Sequence, residues 1–317
     1  MKDTISMQQM FKTEYVRQVQ LLLQTIPFVA AEKCFAIKGG TAINLFLLDM
    51  PRLSVDIDLT YLPLQDRTTA LLGIDNALLR MKKAILSNIP NTSIGEKRTN
   101  VGNHLSKLYV SNADTQIIIE PNLVLRGNIL PIIKADLCAT AEDYFEMSLS
   151  DIPILSVEEL YAGKICAALD RQHPRDLFDV KILLENSGIT DNMRHAFVVY
   201  LASNSRPMHE LLAPNILDIE KTFASAFAGM ILDNNSVRYE ELLEARVQLI
   251  EILQKSLTQN EREFLLSIKL GDPQWDLMSF DNLDQLPAIQ WKLINIKKMD
   301  KKKHNIATDN LKRVLCL

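Results

Sequence analysis

Between Phe35 and Leu59 the chain reads FAIKGGTAINLFLLDMPRLSVDIDL. A short apolar run, Phe35 to Ile37, enters a glycine turn, Gly39-Gly40-Thr41. An apolar strand follows, and it carries two carboxylates, Asp56 and Asp58, two positions apart. Alternate residues of a strand share a face, roughly 6–7 Å apart along the backbone. Like charges held that close repel unless a cation lies between them. A divalent ion with oxygen ligands satisfies such a pair. The plainer alternative is a solvated face, with Val55, Ile57 and Leu59 packed on the other side; period-two alternation fits that too. At the turn, glycines without Cβ atoms let a ligand approach the backbone. A helix starting there points N–H groups at an anion such as phosphate, and Thr41 adds a hydroxyl. A simple strand-to-helix turn capped by Thr41 explains the same residues. The G-x-x-x-x-G-K-[ST] loop of P-loop proteins does not occur.

Outward from this stretch, helix and strand signals alternate. A helix is expected from about residue 8 to 26, another from Thr41 to Leu48, and the carboxylate strand from Ser54 to Tyr61. Apolar residues at helical spacing (Leu71, Leu72, Leu78, Leu79, Ile85) predict a helix from Arg67 to Leu86. Leu105–Val110 and Thr115–Glu120 read as strands joined by a polar hairpin turn. Such a mixture predicts an α/β (α+β) domain on a mixed sheet. From about residue 156 the pattern becomes helical. Ser156 and Glu159 have capping-box spacing, Pro174 opens the next helix, and further helical patterns fall at 194–202, 218–229 and 236–257. The expected division is 1–155 and 156–317.

Three further groups of residues carry chemistry. Glu120 ends the apolar run Ile117–Ile119 before Pro121 and is the candidate third carboxylate for a two-metal arrangement. In the second half, Lys164 and Arg171 lie seven apart, two helical turns, and face one side. Arg175, Asp176 and Asp179 follow at the next helix start. A Lys and an Arg on one face can hold a triphosphate, with an Asp to orient them; a salt-bridged surface helix pair is the ordinary explanation. Finally, Lys297-Lys298 and Lys301-Lys302-Lys303 form a basic run beside His304, either a solvated tail or a contact for RNA phosphates.

Composition narrows the class. The 317 residues are 47% apolar and carry a net charge of −4, so there is substance for a large core but no polycation to coat nucleic acid. No apolar leader opens the sequence, and the longest apolar runs are too short for a bilayer. Four cysteines lie apart without C-x-x-C, which argues against a zinc site or disulfide frame and for a reduced, cytoplasmic setting. The five histidines show neither H-x-x-x-H nor H-E-x-x-H spacing.

The G-G-T turn followed by D-x-D resembles the first motif of the DNA polymerase β-like nucleotidyltransferase superfamily. More narrowly, K-G-G-T-A-I-N-L-F with R-L-S-V-D-I-D-L resembles the AbiEii/AbiGii toxin family. K-x-x-A-A-L-D-R-x-x-x-R-D-x-x-D from Lys164 and F-L-L-S-I-K-L-G-D-P-Q-W from Phe264 do so as well, so the likeness spans about residues 35 to 298. It implies a nucleotidyltransferase domain followed by a helical C-terminal domain that completes a nucleotide cleft. It places Gly39, Gly40, Thr41 and Ser54 at the nucleotide phosphates and Mg2+ on Asp56, Asp58 and Glu120. Lys164 would touch the triphosphate and Asp176 would be the acid of the last motif. The implied reaction transfers NMP from an NTP to an acceptor hydroxyl. Among relatives, tRNA is one acceptor, and a cognate antitoxin is expected. A protein acceptor (an AMPylating toxin) and a nucleotide-binding module that acts by interaction alone are the competing readings.

Overall fold

A computed structural model of the protein describes residues 11–231 and 237–317. By contact the chain forms two compact units. One runs to Ser156 and includes the stretch beginning at Ala226; the other is Val157–Ser225 with Val237–Leu317.

The first unit is built on one mixed sheet of seven strands among the described residues. These are β1 (Phe35–Lys38), β2 (Asp56–Tyr61), β3 (Thr92–Arg98), β4 (Leu105–Asn112), β5 (Thr115–Pro121), β6 (Ile133–Ala135) and β7 (Ile152–Ile154), in the order β3-β4-β5-β2-β1-β7-β6. β2 runs parallel to β5 and β1 parallel to β7, while the other neighbours are antiparallel. Alternation decides which face is dry. Ile57, Leu59, Ile117, Ile119, Leu108 and Val110 are buried on one face. Each such side chain contributes roughly 1.5–3 kcal/mol on burial. Asp56, Asp58 and Glu120 fall on the opposite, half-buried face.

Helix α1 (Thr13–Ala30) packs against β5 and β1 through Val19, Leu22, Leu23, Ile26 and Val29, spaced three and four apart. The first residues of the helix expected from residue 8 lie outside the described residues. The glycine turn forms a single helical turn, α2 (Gly39–Ala42), which widens at once into a π turn over Ile43–Leu47. The Leu48 N–H donates to the Ile43 carbonyl at 2.8 Å, the longer reach that defines the widening. The uniform helix expected from Thr41 to Leu48 is therefore replaced by two short turns.

Helix α3 (Arg67–Asn88) is capped by the Asp66 carboxylate, which accepts from the Thr68 and Thr69 N–H groups. It buries Leu71, Ile74, Leu78, Met81 and Ile85, while Leu72 and Leu79 are exposed. The first unit also holds α4 (Ala139–Phe145). The described part of the returning stretch is joined to it by backbone bonds: Leu53 N–H to Met230 O at 2.7 Å and Lys12 N–H to Gly229 O at 3.3 Å.

The second unit is helical among the described residues: α5 (Val157–Asp170), α6 (Pro174–Asn186), α7 (Asp191–Ser203), α8 (Met208–Leu212), the start of α9 (Glu220–Ala226), α10 (Tyr239–Ser256), α11 (Gln259–Leu270), α12 (Pro287–Lys297) and α13 (Lys301–Leu315). Its core includes Phe178, Phe197 and Phe264. All four cysteines are free.

Candidate active site

β2 holds the acid pair between two neighbours of defined register. Asp58 stands opposite Lys38 of β1 and opposite Glu120 of β5. Three ionisable residues thus form one row across the sheet, with Asp56 one pleat away beside Ile118. Burial pulls the Lys38 ammonium below its usual pKa, against the opposing pull of Asp58 and Glu120. Glu120 is bound at 2.5 Å by the Lys107 ammonium of β4. That contact raises the Lys107 pKa, with Asp56 adding a smaller push the same way. The face is therefore a band of alternating sign rather than a bare acid patch.

The glycines answer to the protein's own side chains as much as to any ligand. Gly39 has a φ of +72°, and a Cβ there would stand 2.7 Å from Asp58 Oδ2. A Cβ on Gly40 would stand 2.6 Å from Arg52 Nη2 and 2.8 Å from Ser54 Oγ. Thr41 is buried; its hydroxyl donates to the Asp56 carbonyl at 2.6 Å and lies 3.1 Å from Ser54 Oγ. Asn44 donates to the Gly40 carbonyl at 2.9 Å. Arg52 is also buried and donates to the Leu53 carbonyl at 2.8 Å. The turn, the Arg52–Ser54 ribbon and the carboxylate strand are thus one hydrogen-bonded block. This fixes Asp56 and Asp58 in position, as a site for charged chemistry requires.

The pair offers hard oxygen donors on a half-buried face, which is the chemistry Mg2+ takes from one or two carboxylates while phosphates and water complete its shell. Among the described residues no three His, Cys, Asp or Glu side chains gather closely enough to hold a metal by themselves. Glu120 is in register with Asp58, but its carboxylate is held by Lys107 and its side chain is 42% exposed.

In the second unit, Lys164 on α5 sits between two carboxylates of α6: its ammonium is 2.8 Å from Asp176 Oδ1 and 2.8 Å from Asp179 Oδ2. All three residues are buried. Arg171 reaches the same Asp176 carboxylate through Nε at 2.6 Å and Nη2 at 3.0 Å, while its side chain stays 59% exposed. Burial works against the Asp176 charge. The Lys164 and Arg171 charges outweigh it and hold the carboxyl well below the usual range. Lys164 and Arg171, seven apart, do share a face. Their immediate partner is Asp176.

Sequence reasoning named Asp179 without a role and passed over Arg52, Lys38 and Lys107. Asp179 follows Asp176 by three residues, which puts both on one helix face. Lys38 immediately precedes the glycines. Arg52 and Lys107 carry no signal beyond their charge.

A glycine turn locked to a D-x-D strand inside a mixed sheet, with a helical unit downstream, defines a nucleotidyltransferase-type fold. The chain belongs to the AbiEii family: the profile described as nucleotidyl transferase AbiEii toxin, type IV toxin–antitoxin system, matches residues 20–294. In solved structures it is similar to MenT4, a nucleotidyltransferase toxin from Mycobacterium tuberculosis H37Rv, with a TM-score of 0.60 and 14% identity over 96% of this chain and 95% of that one. That likeness is one of fold. A comparison with curated protein sequences gives no match. No helix among the described residues is long and apolar enough to cross a membrane.

Proposed function

We propose that this toxin-family protein is a Mg2+-dependent transferase that moves NMP from an NTP to an acceptor hydroxyl, with tRNA the favoured acceptor, in the cytoplasm and under the control of a cognate antitoxin. The observation that carries this reading is the Asp56–Asp58 pair, half-buried and held rigid by a turn whose Gly39 leaves room for Asp58.

When bound, Mg2+ supplies charge neutralisation at the phosphates and lowers the pKa of the acceptor hydroxyl. Asp56 and Asp58 would hold it, with Glu120 as third acid once drawn from Lys107. Gly39, Gly40 and Ser54 shape the phosphate side, and Thr41 acts through its bond to the Asp56 carbonyl. Lys164 and Arg171 would meet the triphosphate, with Asp176 orienting both. The acceptor oxygen bonds to the α-phosphorus, the bond to the bridging oxygen breaks, and pyrophosphate and a proton leave.

The test is direct. Purified protein with labelled NTPs, Mg2+ and total tRNA should yield labelled RNA, and Asp56→Ala should abolish the label. Run in lysate, a product sensitive to protease rather than RNase would move the acceptor to protein. No labelled RNA or protein at all would end the transferase reading.

A further inference from the structure

The last two helices carry a charge pattern that the transfer chemistry leaves unused. Lys297 ends α12, Lys298 follows, and Lys301, Lys302 and Lys303 form the first turn of α13. All five are exposed, and none has an ion-pair partner among the described residues. From Lys297 to Arg313 there are seven Lys or Arg against two Asp, in a chain whose net charge is −4. The placement works against helix stability. A helix N-terminus is the positive end of the backbone dipole and favours acids, yet its first turn holds three lysines and no acid. Asp300 alone answers them, as the cap that accepts from the Lys303 N–H at 3.1 Å. Lysine charge and helix dipole therefore add in one place.

An aromatic surface lies on the same pair of helices. Trp291 is 48% exposed, and Ile294 and Lys298 follow it at three and seven residues, along one helical side. The apolar side of α13 is already used. Thr308, Leu311 and Leu315 are buried, and α13 packs on α11 and α8. Arg262 Nη1 donates to the Leu315 carbonyl at 2.6 Å and His304 Nε2 to the Lys269 carbonyl at 2.8 Å. The buried side of α13 is committed to α11 and α8, and on its outer side Ile306 is an isolated exposed apolar residue among lysines, so α13 offers no continuous apolar face to a lipid surface. Lys298, two turns along the same helical side from the exposed indole, sets a cation and an aromatic ring in line, an arrangement that suits a phosphate backbone with an unstacked base.

We propose that Lys297, Lys298, Lys301, Lys302 and Lys303, with Trp291, form a docking surface for a single-stranded segment of RNA: the lysines take the phosphates and one base lies on the indole. This rests on the reading that the acceptor is RNA. The test is fluorescence anisotropy of the full chain with a labelled oligoadenylate, in EDTA and without NTP, so that docking is read apart from transfer. Five phosphate contacts on a single strand predict that log affinity falls with log salt at a slope of about −3.5. The triple substitution Lys301→Gln, Lys302→Gln, Lys303→Gln should cut that slope by about 2. Trp291→Ala should weaken binding by about ten-fold and leave the slope alone. Circular dichroism confirms that each variant is folded. Unchanged affinity and slope in folded variants would overturn the docking surface. So would binding through these lysines to phosphatidylserine vesicles, or to an acidic protein, but not to the oligoadenylate. Docking without any NMP transfer would support the surface and sink only the transferase reading. Transfer to RNA that the triple variant leaves untouched would do the reverse.

Discussion

The two charged clusters of this protein handle the same problem in opposite ways. On β2 of the first unit, Asp56 and Asp58 sit on a half-buried sheet face in a band where cations and anions alternate in register. In the second unit, Lys164, Asp176 and Asp179 are buried and bind one another at 2.8 Å, with Arg171 reaching in from the surface. The first cluster stays half-buried, partly open to solvent. The second has spent most of its hydrogen bonds on itself. Charge alone therefore does not mark a site; what separates the two is how much of the charge is still addressable from solvent.

Substitutions can break that contrast. The largest effect is expected at the acid pair: Asp56→Ala or Asp58→Ala should lower NMP transfer by at least ~10²-fold, with the urea midpoint nearly unmoved. A large loss of stability in either would mean the pair is structural. Next is the buried cluster. Lys164→Met leaves two buried carboxylates with less compensation and should cost about 3–5 kcal/mol in urea denaturation. Transfer should fall further than the lost stability explains, because Lys164 meets the triphosphate in the proposed reaction; transfer that falls only in step with stability would leave Lys164 structural.

Gly39→Ala comes third. It puts a Cβ 2.7 Å from Asp58 Oδ2 at a φ of +72°, and should cost about 1–3 kcal/mol while lowering transfer. The smallest change in folding is expected from Glu120→Gln, within ~1 kcal/mol because its partner Lys107 is near the surface, while transfer falls about ten-fold or more if it is the third acid. A variant with wild-type turnover would leave Glu120 as no more than the partner of Lys107.

Acid should also separate the regions. Burial disfavours the Glu261 charge, but hydrogen bonds from His195, the Thr258 N–H and Arg194 bring its pKa from 4.5 to about 2. A depressed folded pKa means stability that is full above the unfolded value and lost as pH falls through the folded one. Asp176 is shifted in the same direction. Denaturation midpoints should thus drop steeply between about pH 4.5 and 2, and Glu261→Gln should flatten that dependence.

Much of this was legible in the letters. Period-two alternation around Ile57 and Leu59 gave β2 its faces, and the hairpin between Val110 and Thr115 followed from turn residues. β3 was missed because Thr92–Arg98 is an edge strand of mostly exposed, polar side chains in which Ile94 is the one large apolar residue, too few to show a period. β6 and β7 have three residues each, too few for any period to register. The π turn after Ala42 was hidden because the same apolar spacing suits a regular helix. At the candidate site the acids and glycines were visible, since their chemistry is rare in that setting. Arg52 was not: its meaning comes from standing 2.6 Å from where a Gly40 Cβ would be, a relation of space rather than of spacing.

The short ladder between Leu53 and Met230, extended by the bridge from Arg52 to Ile231, has a consequence for the order of events on the ribosome. The Arg52–Ser54 ribbon beside the glycine turn finds its backbone partner in residues made about 180 positions later. While the nascent chain is shorter than that, the ribbon beside Gly40 lacks this support, and the acid pair is held less firmly than in the finished protein. The glycine-turn block is therefore completed by a segment that leaves the ribosome after all seven strands of the sheet have been made.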